Sequence, residues 1–337
     1  MEALLGKTLE ELQEIAISVG LQKFAGKQLA QWLYVQRVSS IDEMTNISLK
    51  GREALKAHYT VGRHAPVREA VSVDGTRKYL FAVGEQFIES VYIPEEDRAT
   101  LCVSTQAGCK MGCKFCMTGT LGFHGQLSAA EILNQIFYFD DLSNLVFMGE
   151  GEPMDNLDNV LRSLEIMTAD YGCAWSPKRI TVSTVGVPAM KRFLDESECH
   201  LAISMHDPFP AERAQIMPAE KMMSISEVIA LLKQYDWTHQ RRVSFEYICW
   251  HGQNDSIRHA KELLRLLKGL NCRINLIRFH AGVEDIKNER RFPASDEKQM
   301  EWFRDYLTQN GLTTTIRRSR GEDILAACGM LVNSLTR

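Results

Sequence analysis

From Ala99 onward the sequence alternates between two patterns, and this alternation limits the possible folds more than any other feature. Short apolar, β-prone runs predict strands at 99–105, 144–148, 179–183, 199–204, 242–248, 272–278 and 312–316. Helical periodicity predicts helices at 128–139, 156–169, 187–194, 225–235, 255–268, 296–309 and 322–335. Strands separated by helices pair in parallel through crossovers. In barrels built this way the chemistry gathers at the C-terminal ends of the strands. The loop after the first strand is therefore the first place to look.

That loop reads Gly108-Cys109-Lys110-Met111-Gly112-Cys113-Lys114-Phe115-Cys116. Three thiolates at this spacing can converge on one soft metal centre, and the two glycines allow tight bends. A structural zinc site normally takes four ligands, so zinc would need a distant fourth. A four-iron cluster held by three cysteines keeps one iron open. Three buried core thiols are the bland alternative.

The chain before Ala99 divides in two. Residues 1–62 read as a small helical domain, with Leu9, Leu12, Ile15, Ala16 and Val19 at helical spacing and further helices over 27–38 and 49–58. Its Lys23, Lys27, Arg37, Lys50 and Arg52 are candidate phosphate contacts or a solvated face. Residues 63–97 read as a β meander, with a hairpin turn at Asp74-Gly75. Residues 98–337 form the third expected unit.

Nine cysteines, an odd number, point to a reducing cytoplasm rather than a disulfide framework. Met1 leads directly into an amphipathic pattern, with no leader and no apolar run of membrane-spanning length. A net charge of −4 does not advertise nucleic-acid binding, so any RNA contact must use local patches. Candidates are Lys110, Lys114, Lys178-Arg179, Arg241-Arg242, Arg290-Arg291 and the run Arg317 to Arg320.

Other strand ends carry candidate ligand contacts. Met148-Gly149-Glu150-Gly151-Glu152-Pro153 lets backbone approach a ligand and offers carboxylates to an ammonium group. Ser183, the Ser204-Met205-His206 run and His280 follow later strands. Two cysteines fall outside the loop at informative places: Cys102 in the first strand and Cys328 near the C-terminus.

The Cys-x3-Cys-x2-Cys loop, with an aromatic residue before the last Cys, resembles the signature of radical S-adenosylmethionine (SAM) enzymes. The Val91-Tyr92-Ile93-Pro94-Glu95 segment, Gly-Glu-Pro and Ala327-Cys328-Gly329 extend the likeness to the RlmN/Cfr family of RNA adenine methyltransferases, over nearly the whole chain. The resemblance implies a partial (β/α)6 barrel in an α/β fold. It implies a 4Fe-4S cluster on Cys109, Cys113 and Cys116. It implies SAM contacts at Gly151, Glu152, Ser183, Ser204, Met205, His206 and His280. Relatives usually carry Met at the position of Glu150 and Asn at that of His280.

In this family two SAM molecules are consumed per methylation. One methylates the cysteine matching Cys328, and the other generates the radical that activates that methyl group. The activated carbon adds to adenine, and the thiol matching Cys102 then resolves the protein–RNA adduct and leaves a disulfide. The resemblance assigns Glu89 the role of base. It implies 23S rRNA and tRNA as substrates, a flavodoxin- or ferredoxin-type reductant and a monomer. Methylation of adenine carbon 2 is the first expectation, and of carbon 8 the second. A radical SAM enzyme acting on a protein or small molecule would not need both Cys102 and Cys328. A non-enzymatic, metal-stabilised RNA-binding protein is the expectation from another class.

Overall fold

The computed structural model describes residues 1–237, 243–280 and 292–331. At the N-terminal end, β1 (Glu2–Ala3) pairs in parallel with β2 (Tyr59–Thr60). Between them lie α1 (Leu9–Ser18), α2 (Ala25–Ala30) and α3 (Leu49–Lys56). Thr8 starts α1 with a capping box: its hydroxyl accepts from Glu11 N–H, and the Glu11 carboxylate accepts from Thr8 N–H. Leu12, Ala16, Leu29 and Leu33 bury the facing helix stripes. The second helix starts slightly before its expected position and passes into a π-helical turn at Gln31–Val35. Arg37 and Arg52, two candidate phosphate contacts, are engaged at home on the carbonyls of Phe139 and Asp42.

The meander is β3 (Arg68–Val71), β4 (Arg77–Val83) and β5 (Gln86–Pro94), with Asp74-Gly75 at the first turn as expected. It is not a separate sheet. β5 runs antiparallel to β6 (Ala99–Cys102) with Val91 opposite Cys102. The strand that precedes the cysteine loop is thus also the seam to the meander.

After β6 a two-stranded ribbon, β7 (Gln106–Gly108) with β8 (Phe123–Gln126), encloses the cysteine loop and α4 (Met117–Leu121). The chain continues through α5 (Ala129–Phe137), β9 (Asn144–Phe147), α6 (Leu157–Thr168), β10 (Ile180–Thr184), α7 (Met190–Glu196) and β11 (His200–Ser204). It ends through α8 (Pro210–Ile216), α9 (Ile225–Leu232), β12 (Val243–Cys249), α10 (Ile257–Leu267), β13 (Cys272–Arg278), α11 (Glu297–Gln309) and β14 (Thr314–Ile316). Strands β6, β9, β10, β11, β12, β13 and β14 are parallel neighbours in that order, joined by helical crossovers. With β5, β4 and β3 beyond β6 they make one ten-stranded sheet that stays open, as a partial barrel requires. Every residue of β12 is buried, which is what strands covered on both faces show.

The expected helix over 322–335 does not form in its described part. After a short 3-10 turn at Glu322–Ile324 the chain runs irregularly to Leu331. Gly321, Leu325 and Gly329 all take left-handed φ, at 64°, 54° and 80°, which no right-handed helix accommodates. The backbone groups go to the body instead: Met117 N–H donates to Gly329 O and Thr118 Oγ1 to Leu331 O. Among the described residues no helix is long and apolar enough to cross a membrane.

Candidate active site

A cavity lies at the C-terminal ends of β6, β9, β10 and β11. Cys109, Cys113 and Cys116 line one wall. Two glycines make the wall possible. A Cβ on Gly108 (φ 71°) would fall 1.9 Å from Gly122 O, and one on Gly151 (φ 96°) 2.5 Å from the Gln106 side chain. Cys109 N–H donates to Gly122 O, Lys114 N–H to Ile216 O and Cys116 N–H to Cys113 O. Phe115 anchors the loop from beneath, its ring 4.8 Å from His206 and 5.3 Å from Trp250.

Burial lifts the Cys109 thiol to about 12 and Cys113 well above its ordinary value, and the neighbouring loop thiols add to both. Three thiolates here need strong positive charge beside them. Three thiols from one short loop, facing a cavity on their free side, suit a cluster that keeps one iron open better than a closed four-ligand zinc site.

Gly151, Glu152, Ser183, Ser204 and His206 line the opposite wall. The Glu152 carboxylate is buried, accepting from Met154 N–H at 3.0 Å and Val185 N–H at 2.9 Å. Burial raises it to about 7 against these hydrogen bonds. His206 holds a left-handed φ of 56°; its Nδ1 accepts from Ile248 N–H at 3.1 Å and its carbonyl from Asn254 at 2.7 Å. Burial lowers its pKa to about 3, so the ring is neutral, with its proton on Nε2. Two expected SAM contacts are not on this wall. Met205 turns into the core, leaving its carbonyl to Arg213 at 2.9 Å. His280 lines the adjoining basic cavity with Arg317, Arg318 and Arg320, its Nε2 2.6 Å from Ser319 Oγ.

Cys328 belongs to both cavities, and to a third that it shares with Cys102 and Cys116. The structure thus brings together all five cysteines singled out in the sequence. Burial lifts the Cys102 thiol to about 12, and nearby Cys328 adds to the rise. Cys328 is reached by solvent, yet cavity walls surround it, so desolvation still raises its thiol while the Arg317 guanidinium pulls it back. Every cysteine is a free thiol, so the implied disulfide is not part of this state.

Glu89 does not line these cavities. Its carboxylate is fully buried, 3.0 Å from the ammonium of an equally buried Lys78. Alternation along β5 and the Val91–Cys102 register place Glu89, Val91, Lys78 and Cys102 on one face of the sheet. The Cys328 segment covers that face, with Ala326 and Leu331 on Val91. Glu150 joins from behind: its carboxylate accepts from Glu89 N–H at 2.8 Å and from Gly108 N–H at 3.4 Å.

The basic clusters scatter. Lys110 pairs with Asp155 at 2.9 Å and lies over the Phe123 ring. Lys178-Arg179 precede β10 and face a cavity at the N-terminal strand ends, the opposite end from the cysteines. Arg241-Arg242 and Arg290-Arg291 lie outside the described residues. Three residues emerge only from the fold. Arg213, fully buried, donates to the carbonyls of Val185, Ser204 and Met205 and ties two strand-end loops together. Glu246, in β12, lines the cysteine-loop cavity with Arg317. Lys78 reads in sequence as one more charged strand residue.

An open parallel barrel with three spaced thiols beside a Gly-Glu-Pro wall defines a radical SAM enzyme. Residues 103–267 match the Radical SAM superfamily, and residues 3–61 match the Ribosomal RNA large subunit methyltransferase N-terminal domain. A probable dual-specificity RNA methyltransferase RlmN of Phocaeicola vulgatus is 60% identical, covering 98% of this chain and 94% of that protein. The dual-specificity RNA methyltransferase RlmN of Syntrophus aciditrophicus is 39% identical, covering 96% and 94%. The crystal structure of a radical SAM methyltransferase from Sphaerobacter thermophilus superimposes with a TM-score of 0.91 at 36% identity, covering 98% and 99%. The chain belongs to the RlmN family of radical SAM RNA methyltransferases.

Proposed function

We propose that this enzyme methylates carbon 2 of adenine in two RNAs: an adenine of the peptidyl-transferase centre in 23S rRNA, and the adenine 3′ to the anticodon in tRNA. Carbon 2 lies between two ring nitrogens and is too electron-poor to attack a sulfonium methyl group. A covalent route through a protein thiol avoids that step. The observation that carries the reading is the shared cavity of Cys102, Cys116 and Cys328. A carrier and a resolving thiol must meet each other, and the carrier must also face the SAM wall.

Cys109, Cys113 and Cys116 would hold a 4Fe-4S cluster, which supplies the electron that cleaves SAM. Glu152, Gly151, Ser183, Ser204 and His206 orient SAM, with Glu152 receiving its ammonium group. Cys328 takes a methyl group from one SAM, and a second is consumed in activating that methyl group. Arg317, beside Cys328, favours its thiolate. Glu89 takes the proton from the target carbon. The Cys102 thiolate then attacks the Cys328 sulfur: the S–S bond forms, the bond from sulfur to the RNA-linked carbon breaks, its electron pair stays on that carbon, and a proton from solvent completes the methyl group. External thiols reduce the disulfide. The target adenine leaves its stack to reach Cys328, past the basic cavity of Arg317, Arg318 and Arg320. A flavodoxin- or ferredoxin-type donor, a monomeric state and a cytoplasmic setting complete the reading, with residues 1–62 and 63–97 as accessory units of the barrel.

The test is turnover of cluster-reconstituted protein on unmodified rRNA and tRNA with SAM and reductant, read by nucleoside mass spectrometry. The expected product is 2-methyladenosine in both RNAs. 8-Methyladenosine, or no product, overturns the reading.

A further inference from the structure

We propose that Lys78 is a positioning residue of the reaction, serving as counterion to Glu89 and fastening the Cys328-bearing segment above it. The inference rests on the reading of Glu89 as the base. Lys78 and Glu89 lie on neighbouring strands with their charged ends 3.0 Å apart and no solvent exposure on either side chain. A lysine is almost never fully buried unless it is paired. The same ammonium donates to Leu325 O at 3.3 Å. Leu325 holds a left-handed φ of 54°, three residues before Cys328. One cation thus touches both the carboxylate that would accept the substrate proton and the segment that would carry the methyl group.

Among the described residues, titratable groups face Glu89 from several elements. Lys78 faces it from β4, Cys102 shares its face of the sheet from β6, and Cys328 lies in the covering segment. Glu150 meets its backbone from the loop after β9 and brings a second carboxyl into this dry layer. Lys78 sets its charge against Glu89, and that charge acts on Glu150 as well. Without it, a buried carboxylate loses its compensating charge and takes up a proton instead. A protonated Glu89 cannot accept the proton of the target carbon.

The test compares Lys78→Met, Lys78→Gln, Glu89→Gln and the double variant K78M/E89Q as reconstituted holoenzymes. Self-methylation of Cys328, read by mass spectrometry of the protein, does not use the base and should persist in all four. RNA turnover by K78M and K78Q should fall about 10²-fold at neutral pH, the scale of a lost general base. It should recover as the pH is raised, because Glu89 then ionises without its partner. A purely structural role predicts loss without that recovery. Wild-type turnover by K78M or K78Q, or a loss equal at every pH, overturns the proposal. Wild-type turnover by E89Q sinks the reading of Glu89 itself, a separate result. Stability gives an independent arm: K78M/E89Q, with neither charge, should melt above K78M. A double variant that melts no higher shows that Lys78 does not compensate Glu89, and overturns the proposal whatever the activities.

Discussion

Around Cys109 the chain is held by its own backbone turns and by Ile216, His206 and Trp250 from later strand-end loops, while around Cys328 it is held by partners up to 251 positions away. The cysteine loop is fastened by backbone hydrogen bonds, left-handed glycines and the ring of Phe115 in an aromatic bed. The Cys328 segment is fastened by polar contacts to the hairpin of the meander. Asp323 accepts from Ser72 Oγ and Val73 N–H, Gly321 N–H donates to Asp74, and Lys78 donates to Leu325 O. Its apolar contact is small: Ala326 and Leu331 against Val91. The loop is built to stay, since a cluster must keep one geometry through every turnover. If Cys328 is the carrier proposed above, its segment has to let the thiol face SAM, RNA and Cys102 in turn. The contacts of Asp323, which water reaches, suit that duty better than a large apolar interface would.

The sharpest way to break the comparison is at the rigid side. Cys113→Ala removes one of the three proposed cluster ligands, and turnover should vanish together with the broad visible absorbance of the reconstituted protein. Its circular dichroism should stay that of the wild type. Retained absorbance and turnover would mean that the loop is not the cluster's seat.

On the releasable side the expected effect is a block after bond formation. Cys102→Ala should still form the protein–RNA bond but fail to break it, giving a covalent species on denaturing gels. Free methylated RNA at the wild-type rate would remove Cys102 from the mechanism.

The smallest effect concerns Glu152 and the stability of the SAM-free protein. Its folded-state pKa, about 7, lies above the ordinary 4.5, so the folded chain holds this proton more tightly than the unfolded one. Stability from this group is therefore present at low pH and lost as pH rises through 4.5 to 7, at about 1.4 kcal/mol per unit of pKa difference. The melting temperature should fall by a few degrees over that window. Glu152→Gln should flatten the slope, and so should saturating SAM, whose ammonium offers a counterion. An unchanged slope in either case would separate Glu152 from the SAM amino group.

Much of this is legible in the sequence. The alternation after Ala99 predicted the parallel sheet, because a strand followed by a helix has few ways to pair again. The spacing of Cys109, Cys113 and Cys116 predicted a shared site, because so short a loop cannot hold its thiols far apart. The helix expected over 322–335 failed in its described part because left-handed φ at Leu325 is a tertiary choice: contacts to Lys78 and Met117 impose it, and no helix signal reports them. His280, expected on the SAM wall, lines the adjoining basic cavity for a related reason. A strand-end position says which end of the barrel a residue occupies, not which of two adjoining cavities it faces.

The sequence by itself determined the parallel strands and the placing of three thiols after the first of them, which follow from local periodicity and spacing; the family followed from the likeness of its motifs and of its relatives. Only the tertiary structure decided that Glu89 is buried against Lys78, that Glu150 spans from β5 to the cysteine loop, and that Cys328 meets Cys102 beneath the meander. These pairs are tens to hundreds of residues apart, and their encounter depends on strand register and on how an irregular segment crosses the sheet. Local chain preferences carry no information about either.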